Sequence, residues 1–196
     1  MKPKFHEIVL ASASPRRSQL LGEMGLRFRV CPSASEELHD YICPDELVRV
    51  NAQLKAAAVA EQEPDALVLG ADTTVALGDV ILNKPRDMAD AERMLMLLSG
   101  QSHQVLTGIC FIGRNANILQ KGVVTSEVTF KPLTPAIIRE YFQQVNPLDK
   151  AGAYGIQTGR ELIIENVHGS LHNVMGLPTE YLAELLAENG WLAERE

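Results

Sequence analysis

The chain has 196 residues, 46% of them hydrophobic, which is enough for a packed core and too much for a disordered chain. Its net charge of −7 excludes a global basic field, so no strong nucleic-acid binding is expected. No apolar run approaches the roughly 20 residues that span a bilayer. The polar start from Met1 to His6 does not read as a signal peptide, so no membrane partner and a cytoplasmic location are expected.

Glu7 to Ala11 reads as a short buried strand, and Pro15 to Met24 as a helix with Ser14 as N-cap and Gly25 as its stop. Arg27 to Cys31 follows as a second strand, then Pro44 to Glu63 as a long Ala-rich helix. Ala66 to Ala71 is an apolar strand ending at Asp72, with Thr73 to Leu77 either continuing it or opening a hairpin through Gly78-Asp79. Asp87 to Leu98 is an amphipathic helix. Gln104 to Ile112 and Ile118 to Phe130 form a hairpin around Asn115-Ala116-Asn117. Thr134 caps a helix through Val145, and a Gly-rich loop runs from Asn146 to Gly159. Leu162 to Val167 is a strand, and Pro178 to Glu188 the last helix. Strands and helices alternate but a hairpin interrupts them, so the expected class is α/β with a mixed sheet flanked by helices.

Cys31, Cys43 and Cys110 are odd in number and lack a Cys-x-x-Cys pair, which argues against disulfides and a zinc site. His6, His39, His103 and His168 have no metal-like spacing. His172 is a weak general-base candidate.

Polar chemistry collects instead at strand-to-helix junctions. In Ser12-Ala13-Ser14-Pro15-Arg16-Arg17, a helix start offers free N–H groups and partial positive charge to an anion. Ser12 and Ser14 add hydroxyls, and Arg16 and Arg17 add guanidinium forks suited to phosphate. A basic spot on an acidic chain points to a small anionic ligand. Gly70-Ala71-Asp72-Thr73 places a carboxylate where an apolar strand ends, the usual place for ligands in open sheets, where it can hold a cation or take a proton from water. Lys84-Pro85 supplies a point charge, and Lys55 joins it if the cleft runs past the Ala-rich helix. Glu36 and Glu37 are both candidate metal ligands. Asp149 to Gln157 mixes small and polar residues, so backbone and Gln157 can approach a ligand closely.

Together with Gly176-Leu177-Pro178, and in this order, these segments resemble the Maf family of nucleoside triphosphate pyrophosphatases over nearly the whole chain, from Ala11 to Pro178. The resemblance implies a Maf/Ham1 (ITPase-like) fold: one domain over 1–196, with a long mixed sheet around a deep cleft between two lobes, and a homodimer. It implies cleavage of a nucleoside triphosphate to the monophosphate and pyrophosphate with a divalent cation, Mg²⁺ or Mn²⁺. Asp72 would be the proton acceptor. Ser14, Arg17, Lys55 and Lys84 would line the phosphate channel, with Ser12 and Arg16 of the same turn. Arg17, Thr73 and Gln157 would select the base, and their combination resembles the subgroup acting on dTTP and UTP. Glu36 would hold the metal with Asp72, and Glu37 is the alternative. Hydrolysis of modified nucleotides, or nucleotide binding in the regulation of cell division, are the competing readings.

Overall fold

The computed structural model describes residues 3–39 and 43–192, so Met1 in the polar start and the last residues of the chain lie outside it. Among the described residues, seven strands form one mixed sheet in the order β2-β1-β3-β5-β6-β7, with β4 paired to β3. They are β1 (Ile8–Leu10), β2 (Phe28–Val30), β3 (Leu67–Leu77), β4 (Val80–Leu82), β5 (Ser102–Gly113), β6 (Ile118–Phe130) and β7 (Ile164–His168). The pairs β1–β2 and β1–β3 are parallel, and the others are antiparallel. This is the mixed sheet flanked by helices that the alternating pattern predicts.

The helices are α1 (Pro15–Glu23), α2 (Pro44–Gln62), α3 (Met88–Leu98), α4 (Pro135–Gln144), the short α5 (Arg160–Ile163) and α6 (Leu171–Val174), and α7 (Thr179–Asn189). Pro15 opens α1 at the position where its missing N–H is harmless, and Gly25 ends it with φ 68°. The expected strand from Leu162 begins instead at Ile164, because Gly159, at φ 66°, starts the helical turn α5 ahead of it.

Two large apolar clusters flank the middle of the sheet. One gathers α3, α4 and the 151–156 loop around Phe130 and Tyr141, and the other gathers α1 and α7 around Phe111 and Leu182.

Helix α2 lies directly on β3 and β5, and two glycines allow that closeness. A Cβ on Gly70 would sit 2.1 Å from the Ala52 carbonyl oxygen, and one on Gly108 would sit 2.2 Å from that of Val48. Both neighbours are backbone and cannot rotate away. The consequence is functional, since the α2 residues beside this contact, Asn51 and Lys55, reach the centre of β3.

Asp72 does not stand at a strand end. β3 is continuous through it for 11 residues. Asp72 nevertheless faces an open edge, because β1 pairs with β3 only as far as Leu69 and β4 joins only from Val75. Between those points the described residues place no strand on that edge of β3, while the other edge stays paired to β5. β1 turns away there into the Ser12 to Ser14 turn, and the gap in the sheet becomes the floor of a cleft.

Candidate active site

That cleft has a volume of about 900 Å³, within the range of about 300–1,000 Å³ usual for small-molecule sites. It is lined by the turn before α1, the 32–39 segment, α2, β3, Lys84 and the 144–158 loop.

At its floor Asp72, 8% exposed, accepts hydrogen bonds from Lys55 Nζ at 2.7 Å and from Asn51 Nδ2 at 3.2 Å. Lys55 Nζ also contacts Glu37 Oε1 at 2.6 Å. One ammonium therefore bridges two carboxylates. Glu37 is half-buried, which by itself would raise its pKa. The Lys55 hydrogen bond and charge, with the charges of Lys84 and Arg17, outweigh that and hold it below the ordinary carboxylate value. Glu36, unlike Glu37, does not line the cleft.

Arg17 also lines the cleft. Its Nε donates to the Gly176 carbonyl at 2.9 Å, and its terminal nitrogens donate to Ser12 Oγ and Thr73 Oγ1, each at 3.0 Å. Burial lowers its pKa from the ordinary value, against the opposing fields of Asp72 and Glu37. Gly176 accepts this bond at φ 107°, a conformation that suits glycine. Thr73 Oγ1 continues to Thr107 Oγ1 at 3.0 Å, and Thr107 donates to the Asn173 carbonyl at 3.1 Å. Arg17 thus spends three donors on the protein itself and is fixed in place beside Thr73.

The cationic wall comes from the α1 turn. Ser14 stands at the N-cap but its side chain makes no capping bond, and its N–H donates to Ser12 Oγ at 3.3 Å. No Ser14 side-chain cap therefore occupies the first-turn N–H groups of α1. Arg16 reaches across the mouth to Asp149 at 3.5 Å, with a third of its side chain exposed. Asp149 also holds Lys150, at 2.5 Å. Lys84 and Gln157 are exposed on the cleft wall.

The structure thus brings Ser12, Ser14, Arg16, Arg17, Lys55, Asp72, Thr73, Lys84 and Gln157 to one cleft, and leaves Glu36 outside it. His172 lies apart from the cleft, against Thr179 and Glu180. Sequence reasoning misses Asn51. It stands one helical turn before Lys55, and that spacing alone puts the two side chains on one face of α2. Thr107 gives no such signal, because only the register of β5 on β3 places it opposite Thr73.

Among the described residues no group of three or more His, Cys, Asp or Glu side chains is placed to hold a metal ion. The pair Glu37 and Asp72 offers two hard carboxylate ligands. That fits a Mg²⁺-type cation, which commonly takes one or two carboxylates and completes its shell with water and substrate phosphates.

A mixed α/β sheet opened by a cleft that sets basic side chains around Asp72 and Glu37 defines a class of protein suited to small polyanions. The Maf-like protein family model matches residues 7–189, and the chain belongs to the Maf family. It is 41% identical to a dTTP/UTP pyrophosphatase of Dehalococcoides mccartyi, over 96% of this chain and 84% of that one. It is 45% identical to a dTTP/UTP pyrophosphatase of Anaeromyxobacter dehalogenans, over 94% of both. Among solved structures, a nucleoside-triphosphatase (dITP/XTP pyrophosphatase) of Mycobacterium abscessus aligns over 94% of this chain and 95% of that one, with 12% identity and a TM-score of 0.46.

Proposed function

We propose that this chain hydrolyses dTTP and UTP to the nucleoside monophosphate and pyrophosphate. The observation that carries the reading is the Lys55-bridged pair of Asp72 and Glu37 at the floor of the cleft, opposite the α1 turn. The dTTP/UTP pyrophosphatases that match it over nearly their full length support the choice of substrate.

In this reading Ser12, Ser14, Arg16, Lys55 and Lys84, with the α1 N–H groups, neutralise and orient the triphosphate. Phosphoryl transfer depends chiefly on such positioning and charge neutralisation. Asp72 accepts a proton from the attacking water, and its fixed hydrogen bonds to Asn51 and Lys55 hold it in place for that task. Arg17 and Thr73 form one rigid pair on the floor and Gln157 stands on the wall, and together they select the base. Asp72 and Glu37, the latter in place of Glu36, would hold the divalent cation, Mg²⁺ or Mn²⁺. When bound it neutralises phosphate charge and lowers the pKa of water. Residues 3–39 and 43–192 act as one domain whose two lobes are the walls of the cleft, and the homodimer implied by the family resemblance belongs to the same reading. So does a cytoplasmic location, in keeping with the fact that no helix among the described residues is long and apolar enough to cross a membrane.

The test is pyrophosphate release from a panel of unmodified and modified triphosphates, with and without Mg²⁺ or Mn²⁺. Release is expected only with metal, and fastest by kcat/KM with dTTP and UTP. Binding of dTTP without turnover would instead indicate a nucleotide sensor, and faster turnover of modified nucleotides would indicate removal of damaged ones.

A further inference from the structure

Asn51 is 2% exposed on the sheet-facing side of α2, where its buried neighbours are apolar apart from Lys55. A buried primary amide there is unfavourable unless its hydrogen-bonding groups are met. They are met in an unusual way. Oδ1 accepts from the Leu38 N–H at 2.8 Å, and Nδ2 donates to the Leu38 carbonyl at 3.0 Å and to Asp72 Oδ2 at 3.2 Å. One side chain therefore grips both backbone groups of a residue in irregular chain and, with its second amide hydrogen, a carboxylate on β3.

Leu38 is the residue after Glu37. The segment from Cys31 to His39 has neither helix nor strand to fix it, so its position depends on individual contacts. At its far end Asn83 donates to the His39 carbonyl at the long distance of 3.5 Å, and Lys55 holds the Glu37 side chain. Among the described residues, the two-point grip of Asn51 is the shortest-range tie from another element to the backbone beside Glu37. The same amide turns Asp72 so that Oδ2 faces Asn51 while Oδ1 faces Lys55.

We propose that Asn51 is a positioning residue that sets Glu37 and Asp72 relative to each other, so that the two carboxylates close on one divalent cation. The inference rests on the hydrolase reading above for the identity of the site. It adds a residue outside the phosphate-binding, base-selecting and proton-accepting groups. A staple that merely tied down a loop would affect stability alone. A positioning residue affects cation binding and turnover while nucleotide recognition at Arg17, Thr73 and Gln157 persists.

The experiment compares wild type, Asn51→Leu and Asn51→Ala. Leucine keeps the volume on an apolar face, and alanine keeps the helix should leucine disturb packing. Four quantities are measured: thermal midpoint, hydrogen exchange of the Leu38 amide by NMR, Mn²⁺ affinity by paramagnetic resonance, and kcat and KM for dTTP. Both variants are expected to fold, to exchange the Leu38 amide at least 10-fold faster, and to bind Mn²⁺ at least 10-fold more weakly. Their kcat should fall at least 10-fold with KM for dTTP within 3-fold. The proposal is overturned by Mn²⁺ affinity and kcat within 2-fold of wild type. It is equally overturned by losses no larger than the unfolded fraction explains, or by an active wild type that binds no Mn²⁺. A wild type that neither hydrolyses dTTP nor binds Mn²⁺ would instead remove the hydrolase reading itself, while the exchange rate at Leu38 would still report the grip.

Discussion

At the scale of single residues, the site depends on which carboxylates share Lys55. Asp72 and Glu37 both touch its Nζ, whereas Glu36 is not part of the cleft lining. Glu37→Gln is therefore expected to lower kcat/KM for dTTP by about 10-fold to 100-fold, or ~1.4 to 2.7 kcal/mol, and to raise the Mg²⁺ concentration needed for half-maximal rate. Glu36→Gln should stay within about 2-fold of wild type. A metal titration of both variants checks this, and the opposite ranking would return the ligand to Glu36. The sequence could not separate the two. They are neighbours in irregular chain, where no period relates side-chain direction to position. Contacts from distant segments decide it: Lys55 holds the Glu37 side chain and Asn51 holds the Leu38 backbone beside it.

The same contrast holds for secondary-structure elements. Ser12 to Arg17 was legible because proline, serine and glycine mark helix ends by simple sterics. Asp72 was legible as a cleft residue, although for a reason that sequence does not show: β1 leaves β3 at Leu69 and β4 joins only at Val75. Strand pairing between distant segments decides that gap, and the same holds for Thr107 opposite Thr73. The close approach of α2 is a further tertiary fact. It predicts that Gly70→Ala, whose Cβ would meet the Ala52 carbonyl at 2.1 Å, pushes α2 outward. A loss of about 1–3 kcal/mol is expected for such overpacking, lowering the melting temperature by about 2–4 °C per kcal/mol in a chain of this size. Because Asn51 and Lys55 ride on α2, activity should fall further than the unfolded fraction accounts for. Unchanged melting and turnover would show that the helix tolerates the added methyl.

For the molecule as a whole, acid stability and catalysis can be read separately. His103 is buried beneath the cleft loop, with Nε2 2.7 Å from the Tyr154 hydroxyl and its ring edge-on to Phe130. Burial pulls its pKa down to about 4. The unfolded chain takes up a proton near pH 6.5 that the folded chain refuses until about 4. Stability from this residue is thus complete above pH 6.5 and lost as pH falls toward 4, with a ceiling of about 3 kcal/mol. Urea unfolding of His103→Gln between pH 4 and 7 should give a shallower acid slope than wild type, and an equal slope would exclude His103 as the titrating group. Turnover is best judged at neutral pH, above the range in which His103 takes up its proton. The most direct measurement is product analysis of dTTP and Mg²⁺ incubated with wild type and with Asp72→Asn. The expected result is dTMP and pyrophosphate from wild type, with kcat reduced by about 10²–10⁴-fold in Asp72→Asn at an unchanged melting temperature. Release of dTDP and phosphate, or an Asp72→Asn variant within tenfold of wild type, would contradict the assignment of this cleft.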